Sequence, residues 1–206
     1  MIVTSATSNA GKLAEFRLAA ERFGAGWRVE PLAGLDRLPA CEETGASFEE
    51  NAIRKALYYG PHAPGLLFVD DSGLVVDALA GQPGVLSARW AGPGATDEAN
   101  NRLLVEKLRG VEDRRARFVC VVALADRGRL VATFRRAVRG SILDQPRGSG
   151  GFGYDPLFFH PPYGATLAEV SAARKLEVSH RGLALKAMFG FLHSGFLQNA
   201  STPEIR

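Results

Sequence analysis

Four stretches of this sequence carry charged or small polar side chains at spacings that chemistry can use. Thr7-Ser8-Asn9-Ala10-Gly11-Lys12 has the make-up of a phosphate loop. Its small residues let a ligand reach the backbone, a helix starting there would turn free N–H groups and its positive dipole end on an anion, and Lys12 adds a charge. It is not a Walker A sequence, which needs glycine where this chain has Ala6 and Ser or Thr where it has Leu13. By itself the stretch fits an N-capped helix with a solvated lysine equally well. Asp70-Asp71 sits between two apolar runs, and Glu42-Glu43 precedes a segment bearing Glu49, Glu50 and Lys55. Carboxylates from two segments suit Mg²⁺, which keeps several waters and takes one or two carboxylates beside substrate phosphates. The plain readings are a solvated glutamate run and a polar turn, but charge between apolar runs needs a reason, so the aspartates stand out.

The third stretch, Gly148 to Gly153, spells G-x-G-x-x-G. The preceding LDQPR is a poor strand and the following Tyr154-Asp155-Pro156 a poor helix start, so the dinucleotide fingerprint fails on context. Phe152 and Tyr154 in so glycine-rich a loop can close on a flat ring by stacking, or can simply fill core. The fourth, Ser179-His180-Arg181-Gly182, opens a helix with two side chains able to carry positive charge in its first turn. They oppose the helix dipole at a cost of ~0.3–1 kcal/mol, which an anion or electron-rich ligand group would explain and a solvated helix end would tolerate. Lys175 lies just upstream.

The elements that must position these residues interleave. Ile2 to Ser5 reads as a strand, and Leu13, Phe16, Ala20 and Phe23 recur at helical spacing up to Gly24. Ser47-x-x-Glu50 is a capping box for a second helix, ended by Pro61, Pro64 and Gly65. Leu66 to Val69 and Leu74 to Val76 read as buried strands with the polar turn Asp70 to Gly73 between them. Thr96 caps a helix through Leu108, and Phe118 to Leu124 is the strongest strand, joined through Asp126-Arg127-Gly128-Arg129 to a strand from Leu130 to Val138. Leu143 to Asp155 is a loop, Thr166-x-x-Glu169 caps a short helix, and a last helix runs from about Ser179 to Leu197. The pattern predicts one α/β domain over residues 1–206, a mixed sheet flanked by helices with an antiparallel hairpin in it.

Composition narrows the class further. The 206 residues are 46% hydrophobic and 23% charged, as a globular protein requires, which disfavours disorder, collagen and coiled coil. The longest apolar run, Phe118 to Ala125, is far short of the ~20 residues that cross a membrane. The first residues lack a basic segment followed by an apolar core, and Cys41 and Cys120 share no C-x-x-C or His-rich context; a reduced, cytoplasmic protein is expected, with both cysteines as small hydrophobes. A net charge of +3 permits anionic ligands without demanding nucleic acid. Asp113 to Arg117, DRRAR, is the one candidate nucleic-acid patch and reads as a solvated strand entry; Trp27 and Trp90 read as core or loop anchors.

Taken together, TSNAGK, EETGASFEENAIRKA, DDSGLVVDAL, PGVLSARWAG, GSGGFGYDPLF and SHRGLAL, in this order, resemble the inosine triphosphate pyrophosphatase family, and the resemblance spans Ile2 to Leu192. It implies Mg²⁺-dependent hydrolysis of non-standard purine nucleoside triphosphates (dITP, ITP, XTP, dXTP) to the monophosphate and pyrophosphate. It also implies a homodimer whose protomers carry an elongated mixed sheet in two lobes with the active site between them. Under it, Thr7 to Lys12 match the triphosphate loop, Glu42 the metal-binding glutamate, and Asp71 a metal-associated proton acceptor. Ser72, Phe152, Gly153, Tyr154, Asp155, Lys175, His180 and Arg181 match substrate-binding positions, and Lys55 a lysine near the phosphates. Such a reaction needs an activated water, a base and cations to hold the leaving pyrophosphate. Glu42 and Asp71 are therefore assigned to Mg²⁺, with Mn²⁺ as the alternative, and Lys12, Lys55 and Lys175 to charge neutralisation. Phe152 and Tyr154 would form the base pocket, with donors from His180 and Arg181 meeting a six-position keto oxygen. Ala173 and Arg174 depart from the acidic pair usual before the lysine ahead of SHRG. A pyrophosphatase acting on modified pyrimidine nucleotides, and a nucleic-acid or nucleotide-binding module without turnover, are the competing expectations.

Overall fold

A computed structural model describes residues 1–194. Seven strands, β1 (Ile2–Ser5), β2 (Arg28–Pro31), β3 (Leu66–Val76), β4 (Arg115–Asp126), β5 (Arg129–Ile142), β6 (Phe158–His160) and β7 (Ala165–Thr166), form one sheet in the order β2-β1-β3-β4-β5-β6-β7. β1 is parallel to β2 and β3, and the remaining pairs are antiparallel. Five helices flank it: α1 (Ala10–Phe23), α2 (Phe48–Tyr59), α3 (Asp97–Lys107), α4 (Ala172–Val178) and α5 (His180–His193). The α/β class and mixed sheet expected from the sequence are those observed. No helix among the described residues is long and apolar enough to cross a membrane.

Period-two alternation on β3 and β4 sorts the core. Phe68, Cys120, Val122 and Leu124 face α1 and α5, packing with Phe16, Leu185, Met188 and Phe189, whereas Leu67, Val69, Val121 and Ala123 face α2 through Ala52, Ala56 and Tyr59. Further along, Leu74, Val76 and Phe118 pack with Leu104 and Leu108 of α3. Cys41 and Cys120 are free thiols, the latter fully buried. Trp27 is buried in the α1–α5 core and Trp90 packs against the α3 cluster.

Three expectations are corrected here. β3 is one continuous strand: Asp70 to Gly73 pair residue by residue with Val122 to Val119, so the ladder runs through the polar stretch instead of turning at it. Thr166-x-x-Glu169 starts no helix. Glu169 Oε2 accepts the Thr166 N–H at 2.7 Å, half of a capping box, but the backbone turns again and α4 starts later, with Ser171 accepting from Arg174 N–H. β2 was not foreseen, its Arg28-Val29-Glu30-Pro31 burying only Val29. β6 and β7 were likewise not foreseen, and β4 and β5 run beyond the expected Phe118 to Leu124 and Leu130 to Val138. The helix starts agree better: Asn9, Ser47, Thr96 and Ser179 each cap a helix through the side-chain oxygen, the last three as expected, and Arg127 (φ 47°) and Gly128 (φ 82°) make the two-residue β4–β5 turn. The end of the expected last helix, beyond Ser194, lies outside the described residues.

Candidate active site

β1 stops at Ser5, pairing with β3 only at Thr4–Leu67 and Ser5–Phe68. From Val69 to Gly73 β3 therefore has an edge without a strand partner beside the loop that leads into α1, before Val75 bridges to Pro83. Because adjacent strand residues point to opposite faces, Asp70 turns to the α1–α5 side and Asp71 to the α2 side. Around that edge lies a cleft of about 170 Å³, lined among others by Lys12, Glu43, Asp71, Ser72, Arg89, Phe152, Tyr154, Lys175, His180 and Arg181.

Asp70 is the hub of one cation cluster. Its Oδ1 accepts from Lys12 Nζ at 2.9 Å, and its Oδ2 from Ser72 Oγ at 3.0 Å and Arg181 Nε at 3.1 Å. Burial pushes its carboxyl up, but Lys12, Arg181 and Lys55 outweigh that and hold it well below the usual carboxylate range. Glu15 of α1 ties in the next pair, its Oε1 2.6 Å from Lys175 Nζ and its Oε2 2.5 Å from Arg181 Nη1. Burial raises the Glu15 carboxyl and the two cations more than reverse it. Lys175 also meets Asp155, whose carboxyl burial pushes up against that lysine's pull.

Asp71 belongs to a second cluster. Lys55 Nζ donates to Glu43 Oε1 at 2.8 Å, Asp71 Oδ1 at 2.9 Å and the Asp70 carbonyl at 2.9 Å, which uses all three of its protons. Asn51 Nδ2 donates to Asp71 Oδ2 at 3.3 Å, and Arg89 Nη1 to Glu43 Oε2 at 3.2 Å. Burial raises the Asp71 carboxyl, with Lys55 pulling the other way; burial would lower Lys55, but Asp71, Asp70 and Glu43 hold it above its ordinary value.

The cleft's flat wall is aromatic. Phe152 lies under two cations, with Lys175 Nζ 4.8 Å and Arg181 Cζ 5.2 Å from its ring centroid. It also presses on Gly11, where a Cβ would come within 2.8 Å of Phe152 Cδ1. Tyr154 donates its hydroxyl to the Ser87 carbonyl at 2.9 Å, so its ring is fixed as wall and partly as core. His180 stacks on Phe118 with centroids 4.5 Å apart and planes 13° from parallel. Burial, then Arg181 and Lys175, push its pKa well below the ordinary value, so the imidazole is neutral. Its buried Nδ1 has no hydrogen-bond partner.

The structure thus gathers Asn9, Lys12, Asp71, Ser72, Phe152, Gly153, Tyr154, Asp155, Lys175, His180 and Arg181 in one cleft, with Lys55 beneath its carboxylates. Thr7, Ser8, Ala10 and Gly11 do not line it. Thr7 Oγ1 accepts from Asn9 N–H, Ser8 and Ala10 are exposed, and Gly11 abuts Phe152. Glu42 is exposed at the surface, whereas its neighbour Glu43 faces the cleft, bound by Lys55 and Arg89. Glu15, Asn51, Ser87 and Arg89 are the members the sequence did not single out; Glu43 was weighed only as half of the Glu42-Glu43 pair, and the alternation that turns one of two adjacent glutamates inward was the only local signal that could separate them. The arginines of DRRAR are each paired with an aspartate, Arg114 with Asp144, Arg115 with Asp113 and Arg117 with Asp77. Arg174, the departure noted above, stacks its guanidinium 4.5 Å from the Tyr163 ring centroid.

A helix-capped loop, a carboxylate pair, converging cations and an aromatic wall in one cleft of an open α/β sheet are the parts of a nucleotide-phosphate hydrolase. The chain belongs to the Ham1 family, whose model matches residues 3–191. It is 47% identical over 196 residues to the dITP/XTP pyrophosphatase of Acidobacterium capsulatum, covering 91% of this chain and 96% of that one. It is 50% identical over 183 residues to the dITP/XTP pyrophosphatase of Geobacter sulfurreducens, covering 87% and 90%. The solved structure of the Staphylococcus aureus Ham1 protein superposes with a TM-score of 0.82 at 38% identity, covering 94% of this chain and 99% of that one.

Proposed function

We propose that this protein hydrolyses non-standard purine nucleoside triphosphates, dITP, ITP, XTP and dXTP, to the nucleoside monophosphate and pyrophosphate. The observation that carries the reading is the convergence on one cleft of the Glu43–Asp71 pair, the Lys12, Lys175 and Arg181 cations and the Phe152 ring. It is supported by the similarity to dITP/XTP pyrophosphatases.

Mg²⁺ fits the carboxylates present. Glu43 and Asp71 share one ammonium, that of Lys55, so the site already concentrates two negative charges on one cation. No group of three or more metal-ligating side chains is assembled among the described residues, and a two-carboxylate set beside phosphates is the kind this ion uses. Glu43 and Asp71 would hold it, in place of the Glu42–Asp71 pair expected from the sequence; Mg²⁺ there supplies Lewis acidity and lowers the pKa of water.

The chain's own residues do the rest. Asp71, its carboxyl raised by burial, takes the proton of the water attacking the α-phosphorus. Lys12, with one carboxylate partner and the more open side chain of the site lysines, meets the phosphates first. Lys55, Lys175 and Arg181 are held in place by carboxylates before substrate arrives, so they take up the leaving pyrophosphate's charge with little rearrangement. Phe152 and Tyr154 bound the base. Neutral His180 and the uncommitted N–H groups of Arg181 offer donors to a six-position keto oxygen, and the adenine amino group would leave them buried and unpaired. A cytoplasmic homodimer completes the proposal. The β5 edge, which β6 pairs only at Ser141 and Ile142, and the exposed Leu130 support a second copy as partner. The test is pyrophosphate release from dITP against dATP, with light scattering for the dimer.

A further inference from the structure

Helix α3 contributes no group to the reaction, yet its first turns grip the ring-binding loop. Asp97 and Asn101 are one turn apart, on one helix face. Both are turned on a single residue, Gly153. Its N–H donates to Asp97 Oδ2 at 2.6 Å, and its carbonyl accepts from Asn101 Nδ2 at 2.9 Å. Gly153 has φ +63° with open space where a Cβ would stand, so it is the left-handed backbone, and not crowding, that calls for glycine. Phe152 and Tyr154 lie on either side of it and both line the cleft. With N–H and carbonyl both clamped, the peptide planes that aim these two rings are fixed from outside the loop. Asn101 Oδ1 is buried without a partner, a cost its grip on Gly153 explains. The neighbouring Asn100 holds Ala88 and Ala91 on either side of Arg89, so one helix sets both walls of the cleft.

We propose that Asp97 and Asn101 are positioning residues that set the ring-binding loop and, through it, the nucleobase preference; the inference rests on the purine triphosphate reading above. The experiment compares wild type with Asp97→Ala, Asp97→Asn and Asn101→Ala. It measures steady-state kinetics on dITP and dATP, inhibition by inorganic tripolyphosphate, which has no base, and the melting temperature. Asp97→Ala is expected to raise KM for dITP roughly tenfold, the scale of one lost charge-assisted hydrogen bond, and Asn101→Ala about fivefold, the scale of a neutral one. They also lower the preference for dITP over dATP and leave kcat and the tripolyphosphate inhibition constant nearly unchanged. Asp97→Asn, which keeps an acceptor oxygen, restores most of the loss. Should Asp97→Ala fail to fold, Asn101→Ala and Asp97→Asn carry the test. KM unchanged, or KM and the tripolyphosphate constant rising together, overturns the assignment alone. A wild type that turns over neither nucleotide overturns the functional reading with it.

Discussion

Replacing Gly11 by alanine puts one methyl into the contact between the phosphate loop and the ring-binding loop. Its Cβ would stand 2.8 Å from Phe152 Cδ1, 3.1 Å from Cε1 and 3.2 Å from Asn9 Oδ1, so the phenyl ring must retreat by more than half an ångström. Gly11 lies in the first turn of α1, where alanine is the better helix former by up to about 1 kcal/mol. Stability is therefore expected to hold or rise while the ring that walls the base is displaced from its seat under Lys175 and Arg181. Misplacement of 1 Å costs about a hundredfold in rate, so half of that predicts roughly a tenfold loss in kcat/KM for dITP. Steady-state kinetics with a thermal melt on the same sample reads both. A variant with wild-type kinetics would refute the placement of Phe152 against the substrate. One that loses stability and activity together would refute the argument that the cost is confined to the cleft.

Asp70→Asn leaves the buried Arg181 and the nearby Lys12 short of a counter-charge and is expected to cost about 3–5 kcal/mol by urea unfolding. The same carboxyl, held low in the fold, contributes stability above the ordinary aspartate range that is lost as pH falls below it, so Asp70→Asn flattens the acid end of the stability profile. His180 behaves in the same direction for another reason. Its folded pKa lies below the unfolded value of 6.5, so stability declines as pH falls through that value, and His180→Asn removes this decline in unfolding curves taken between neutral and mildly acid pH. Glu43→Gln raises the Mg²⁺ concentration needed for half-maximal activity roughly tenfold or more, and Glu42→Gln leaves it unchanged; the reverse result would return the metal to Glu42.

What the sequence made legible was local. The β1–α1 loop announces itself because an apolar strand, an Asn cap and a helical period follow within a few residues, and the same logic finds α2, α3 and the β4–β5 turn. β3 was split at Asp70-Asp71 because polar residues interrupt its apolar run, and only the ladder with β4, whose partner residues lie about fifty positions away, shows that the strand continues. That continuity is what sends the two aspartates to opposite faces and gives them different partners. Glu15, Arg89 and Asn51 carried no signal because their meaning comes from tertiary neighbours, Glu15 being joined to Lys175 and Arg181 across most of the chain. Glu42 and Glu43 are the same residue type side by side, and only the path of the backbone toward Lys55 separates them.

The central claim is that the cleft hydrolyses a purine triphosphate at the α-phosphorus with Asp71 as base. The most direct test incubates the protein and Asp71→Asn with Mg²⁺ and either dITP or dATP and identifies the released phosphate species. The account predicts pyrophosphate from dITP far faster than from dATP, and none of consequence from Asp71→Asn although that variant stays folded. Orthophosphate as the product, equal turnover of the two nucleotides, or an undiminished Asp71→Asn would contradict it.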